Sequence, residues 1–172
     1  ESSDISRFLT EELVLSPETT SRVSTLISKG LSADDSTLLD LDGQGGATGL
    51  LIEGQGGAGK TALLESLIKA PHAAGSVLDL ASLRALSAGK AAQAVLTFFA
   101  AQRGVRLYLL DNVDAISDAE GGVAVLVSAL LRGLDTIISD YHLHANNESS
   151  SPSKFVVATC TDVKMVPQEL LT

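Results

Sequence analysis

The chain has 172 residues and a formal net charge of −9, and 45% of its residues are hydrophobic. This length predicts one domain with a short appendage, and the acidic balance disfavours a nucleic-acid partner, which requires a basic face. The single cysteine excludes an internal disulfide and is typical of a reducing, cytoplasmic compartment. No apolar run approaches the roughly 20 residues of a membrane-spanning helix. Because the chain starts at Glu1 rather than at methionine, we expect a fragment of a longer protein.

The segment 1–46 predicts a helical extension and a linker before the main domain. Residues 4–12 have an amphipathic pattern that indicates a short helix. A second helix is expected over 16–29, because a serine, a proline and an acid are typical of a helix start and Gly30 is expected to end it. Residues 32–49 are polar, acidic and rich in glycine, which indicates a loop.

A glycine-rich segment then follows a short apolar run. Its glycines, lysine and threonine fit G-x-x-x-x-G-K-[ST], the phosphate-binding loop. Glycines allow successive N–H groups to point at one anion, and the helix that follows adds its positive N-terminal end. Lys60 is expected to reach the β- and γ-phosphates of ATP, and the Thr61 hydroxyl is expected to bind Mg²⁺. The predicted nucleotide contacts are Gly54, Gln55, Gly56, Gly57, Ala58, Gly59, Lys60, Thr61 and Ala62.

Strands and helices alternate from this loop onward, which disfavours the alternative of a plain glycine-rich turn. Alternation of this kind indicates a parallel sheet that is covered on both faces. We therefore predict an α/β domain over 47–172, with the three-layer parallel sheet of a P-loop NTPase. The predicted strands are 49–53, 76–80, 105–110 and 155–159, and the predicted helices are 60–70, 89–103 and 122–144, with another opening at 168–171.

A carboxylate follows the third predicted strand, where a triphosphate site needs one that faces the metal. Asp111 is predicted to hold Mg²⁺ through water beside Thr61, and an ordinary strand-end acid is the alternative. The next residue is Asn112, at the position where many ATPases have a glutamate that deprotonates the attacking water. An amide can hold water but cannot accept its proton, and Asp114 is the nearest other acid. The sequence therefore predicts Mg²⁺–ATP binding with weak or absent hydrolysis.

Together these motifs resemble the large subdomain of an AAA+ ATPase over 47–172. Residues 54–61 match its Walker A motif and 107–111 match its Walker B motif, with Asn112 in place of the glutamate. The resemblance implies a ring of AAA+ subunits that acts on a protein substrate or adaptor. It also implies arginine fingers and a helical lid beyond Thr172, so the lid is absent from this chain.

The resemblance further implies a degenerate member of that family. The strand 155–159 corresponds to the sensor-1 strand, and the sensor residue, usually an asparagine, is Cys160 here, with Thr161 as a substitute. The resemblance thus implies catalytic positions at Asn112 and Cys160, and Asp114, the nearest other acid, is the third candidate.

Narrower and competing resemblances remain open. The segment 83–116 resembles the first AAA domain of the peroxin-1 family of peroxisomal ATPases, and the second domain of the NSF family is similar. This resemblance implies protein transport or peroxisome biogenesis at the surface of an organelle membrane. An active ATPase, completed by Asp114 or a neighbouring chain, is one alternative. The segments 54–61 and 109–113 also resemble STAND-type signalling switches, although these often have an arginine that 159–162 lacks.

Overall fold

A parallel sheet of four strands forms the centre of the described structure. The computed structural model describes residues 17–32, 48–69, 73–101, 105–118, 122–145 and 154–171. All strand pairings are parallel, and the order across the sheet is β1-β4-β3-β2. This confirms the predicted α/β fold. The strands are β1 (Thr48–Glu53), β2 (Leu78–Asp79), β3 (Leu107–Asp111) and β4 (Phe155–Cys160).

Helices cover both faces of this sheet. None of the described helices is long and apolar enough to cross a membrane. The helix predicted to open at Gln168 is one 3₁₀ turn. The α-helices are α1 (Pro17–Ser32), α2 (Lys60–Leu67), α3 (Ala88–Ala101) and α4 (Val123–Ala145), and the 3₁₀ helices are Ser82–Ala85, Val113–Asp118, Val163–Met165 and Gln168–Leu170.

Several predicted boundaries were wrong by a few residues. Helix α1 continues through Gly30, because glycine lowers helix propensity by about 1 kcal/mol without forbidding helical dihedral angles. Strand β2 is shorter than the predicted 76–80, because Gly75 and Ser76 form a bend between it and an isolated bridge at Ala73. The helix expected at 4–12 and most of the loop expected at 32–49 lie outside the described residues.

Successive side chains of β3 lie on opposite faces of the sheet. Leu107 and Leu109 pack with buried residues of α1 and α2, and Tyr108 and Leu110 pack with α3 and α4. Helix α1 belongs to the first of these cores, since Ile27 is fully buried there. The sheet is thus held between two apolar layers, and its strand ends are fixed in position.

Helices α3 and α4 lie very close together on the second face. A Cβ atom built on Gly133 of α4 would lie 2.1 Å from Cδ2 of Phe99 on α3. The Phe99 ring continues this contact to the sheet, with its centroid 5.8 Å from that of Tyr108. Only glycine allows the two helices to approach this closely.

Candidate functional site

The predicted phosphate-binding loop connects β1 to α2 with left-handed backbone at two glycines. Gly57 has φ +80° and Gly59 has φ +85°, a conformation that other residues rarely adopt. Helix α2 begins directly afterwards, and the Leu63 N–H donates to the Gly59 carbonyl at 2.9 Å. The described loop residues from Gln55 to Ala58 are exposed. The exposed loop therefore leads directly into the start of α2.

Lys60 folds back over this loop. Its Nζ donates to the carbonyl of Gly54 and, at 3.0 Å, to the carbonyl of Gln55. The cation is therefore held above the loop backbone, where an anion on the loop would meet it. Thr61 and Ala62 follow in the first turn of α2, and both are exposed.

The two halves of the predicted metal site meet at Asp111. Thr61 Oγ1 donates to Asp111 Oδ2 at 2.7 Å, across fifty residues of sequence. Asp111 is only 2% exposed, and its other oxygen accepts a hydrogen bond from the hydroxyl of Thr159. A hydroxyl and a carboxylate in contact are the oxygen donors that Mg²⁺ takes in proteins. The donor set therefore fits the metal.

Asn112 has an unusual backbone and a specific partner. Its φ is +55°, the left-handed region, which asparagine tolerates better than most residues do. Its backbone N–H donates to Thr159 Oγ1 at 3.2 Å. Its side-chain Nδ2 donates to Asp79 Oδ1 at 3.0 Å, so the amide points toward the end of β2.

Asp114 and the loop after β4 are joined by hydrogen bonds. Asp114 Oδ2 accepts from the backbone N–H of Thr161 at 2.9 Å and from that of Asp162 at 3.3 Å. Glu53 Oε1 accepts from the Val163 N–H at 3.0 Å and holds the same loop. In this arrangement the Asp114 carboxylate shapes the loop that contains Thr161.

Cys160 ends β4 in the interior, with no exposed surface. Its carbonyl accepts the Gly54 N–H at 3.1 Å, which joins the end of β4 to the start of the phosphate loop. Burial raises the pKa of the Cys160 thiol above its ordinary value, and the carboxylates of Asp114 and Glu53 raise it further, while Lys60 lowers it. The thiol is therefore neutral near neutral pH and lies behind the loop.

Two residues of this site were missed by the sequence analysis. Thr159 is completely buried and contacts both Asp111 and Asn112 through its hydroxyl. Asp79 is the partner of Asn112. A threonine at the end of a buried strand was the available signal for the first residue. The second is the last residue of the short β2, whose position beside β3 is clear only from the sheet order.

Comparison with known proteins identifies the family. A model of the ATPase family associated with various cellular activities (AAA) matches residues 50–172, well over half of the chain. The chain belongs to the AAA family of ATPases. Members of this family bind nucleotide, generally with Mg²⁺. A search of curated proteins finds no match.

A solved AAA structure has the same fold. The crystal structure of the FIGL-1 AAA domain is similar with a TM-score of 0.53 and 17% sequence identity. The similarity covers 71% of this chain but only 39% of that one, so the present chain spans well under half of the solved AAA chain. At this identity the likeness concerns the fold alone.

Proposed function

We propose that residues 47–172 form the Mg²⁺–ATP binding domain of an AAA assembly, with residues 1–46 as a helical extension and linker. The observation that carries the proposal is the 2.7 Å contact between Thr61 and Asp111. These residues come from separate motifs, yet their oxygens meet at the edge of the sheet beside Lys60. Such a convergence is what a metal bound to a triphosphate needs.

Each group of the site has a distinct task under this proposal. The amides of the loop and the cation of Lys60 hold the phosphate oxygens. Thr61 and Asp111 hold Mg²⁺, and Thr159 keeps the Asp111 carboxylate in orientation through its hydroxyl. The metal, when bound, neutralises charge on the phosphates.

We propose that hydrolysis at this site is weak or absent. Asn112 follows Asp111, and its amide cannot take a proton from water. The thiol of Cys160 is buried and neutral, so it cannot hold water in front of the phosphates as an exposed amide would. Asp114 already accepts two backbone N–H groups, which disfavours the alternative of an active ATPase with Asp114 as base.

The role in the cell is proposed from resemblance. We propose that the domain works in a ring of AAA subunits on a protein substrate or adaptor, in protein remodelling or transport. The resemblance of 83–116 to peroxisomal ATPases supports a cytoplasmic position at the surface of that organelle. A STAND-type switch is disfavoured, because the family match is to AAA ATPases.

Replacement of the Thr61 hydroxyl tests the binding function. Thr61→Val removes a metal ligand at nearly constant volume, and Thr61→Ser retains it. We expect the valine variant to lose about tenfold or more of its ATP affinity in the presence of Mg²⁺, the equivalent of one strong polar contact. The serine variant should stay close to wild type, and both should bind alike when EDTA removes the metal. Equal Mg²⁺-dependent affinities for the two variants would contradict the proposed site.

A further inference from the structure

Carboxylates hold the start of the loop that follows β4, which we call the β4 loop (161–165). Four successive backbone N–H groups, those of 161–164, donate to these carboxylates. Asp114 accepts the first two at 2.9 and 3.3 Å, Glu53 accepts the third at 3.0 Å, and Asp162 accepts the fourth at 2.9 Å. The β4 loop is therefore positioned by its own acid, by the segment after β3 and by the end of β1.

Of these three carboxylates, Glu53 is the one that adjoins the phosphate loop. It is the last residue of β1 and the register partner of Cys160 at the end of β4. Gly54 follows directly, and its N–H donates to the Cys160 carbonyl at 3.1 Å, while its own carbonyl accepts Lys60 Nζ. The end of β1 thus contacts both the lysine of the phosphate loop and the β4 loop.

The Glu53 contact is suited to positioning rather than to stability. The Glu53 side chain is exposed, and its bond to Val163 joins residues that are 110 positions apart. Water can replace the carboxylate in an exposed bond, so the net contribution of this bond to the free energy of unfolding is small. The bond nevertheless has a charged acceptor, and such bonds are roughly twice as strong as neutral ones. The contact can therefore form and open while the domain stays folded.

We propose that Glu53 is a positioning residue that couples the phosphate loop to the β4 loop, so that bound nucleotide fixes the candidate sensor residue Thr161 in place. The proposal rests on the Mg²⁺–ATP binding proposed above. Phosphates bound to the loop amides and to Lys60 reduce the freedom of the end of β1, and the closed contact between Glu53 and Val163 becomes more populated. Because coupling between two sites is reciprocal, this contact in turn raises the ATP affinity.

Two substitutions remove this hydrogen bond from opposite ends. Glu53→Leu removes the acceptor, and Glu53→Gln keeps an acceptor oxygen without the charge. Val163→Pro removes the donor. Val163 is the first residue of its 3₁₀ helix, and the preceding Asp162 has φ −138° and ψ 116°, the extended backbone that is favoured before proline. The control is Glu65→Leu, the same exchange at an exposed position on α2.

The test is amide hydrogen exchange of the full-length protein with and without Mg²⁺–ATP, read at the amides of the β4 loop that every variant retains. We expect ATP to slow this exchange about fivefold or more in wild type and in Glu65→Leu, the low end for coupled sites. The slowing should be lost in Glu53→Leu and in Val163→Pro, and mostly retained in Glu53→Gln. The double variant Glu53→Leu with Val163→Pro should show no further loss, because both changes remove the same bond.

ATP affinity gives the reciprocal readout. In calorimetric titrations Glu53→Leu should bind Mg²⁺–ATP more weakly, by up to the factor by which ATP slows exchange in wild type, with a melting temperature close to that of wild type. Equal ATP-dependent slowing in Glu53→Leu and wild type overturns the proposal. A loss of slowing in Glu65→Leu also overturns it, because the effect would then follow charge alone. Absence of ATP binding by wild type removes the proposed function and this inference with it, whereas binding without slowing of exchange removes only this inference.

Discussion

Thr159→Val tests the contact that joins the ends of β3 and β4 beneath the site. The Thr159 hydroxyl donates to Asp111 and accepts from the backbone N–H of Asn112, and its side chain is fully buried. Valine keeps the shape and removes both hydrogen bonds. The buried carboxylate then keeps only the Thr61 hydroxyl among the side-chain donors in the described part of the chain.

The expected loss of stability follows from these two bonds. Loss of a hydrogen bond to an ionised carboxylate costs about 1.5–3 kcal/mol, and the unpaired Asn112 N–H adds about 1 kcal/mol. The additional buried methyl group offsets roughly 0.8 kcal/mol. The free energy of unfolding should therefore fall by about 2–3 kcal/mol, which lowers the Tm by roughly 4–12 °C for a domain of this size.

Calorimetric melts and a Mg²⁺ titration measure this effect. Thr159→Ser is the matched control, because it keeps the hydroxyl and loses only a methyl group. Since the Thr159 hydroxyl orients Asp111, the metal ligand that we propose, the valine variant should also lose roughly tenfold in Mg²⁺-dependent ATP affinity. If the valine and serine variants have equal Tm and equal affinity, Thr159 does not orient Asp111.

Three further predictions concern the fold and the buried thiol. Gly133→Ala should lower the free energy of unfolding by about 1–3 kcal/mol in denaturant titrations, because the methyl group of the alanine overlaps the Phe99 ring. An unchanged denaturation midpoint would refute the close approach of the two helices. Ile27→Ala should lower the free energy of unfolding by about 2–5 kcal/mol in the same assay, because Ile27 is fully buried in the core that α1 shares with the sheet. A negligible loss would show that α1 is not part of the domain. The pKa of Cys160 is raised by burial above 9.0. The protonated thiol thus stabilises the fold below about pH 9, and this contribution is lost as the pH rises further. Wild type should therefore lose stability above about pH 9 more steeply than Cys160→Ala, and parallel curves would contradict the raised pKa.

The parts of the site that could be predicted are those set by local sequence. The phosphate loop depends on glycines at fixed spacing, and Gly57 and Gly59 have the positive φ that makes glycine necessary. Thr61 and Asp111 were each predicted as metal-binding residues, because a triphosphate site needs a hydroxyl after the loop lysine and a carboxylate at the end of a second buried strand. The structure places their side chains in contact. Spacing and strand character alone were sufficient for these residues.

The remaining contacts depend on which strands are neighbours. Thr159 reaches Asp111 because β4 lies next to β3, and Asp79 reaches Asn112 because β2 lies on the other side of β3. Neither adjacency is encoded in local hydrophobic periodicity. Strand β2 has only two residues, too few for an alternating pattern.

The central claim is that this AAA domain binds Mg²⁺–ATP through the loop that ends at Lys60, and calorimetric titration with ATP tests it most directly. We predict saturable, Mg²⁺-dependent binding by the wild-type chain. Lys60→Ala should weaken this binding at least about tenfold with an unchanged melting profile, because a charge-assisted contact is lost while the loop backbone persists. ATP affinity that is the same for wild type and Lys60→Ala would contradict the claim.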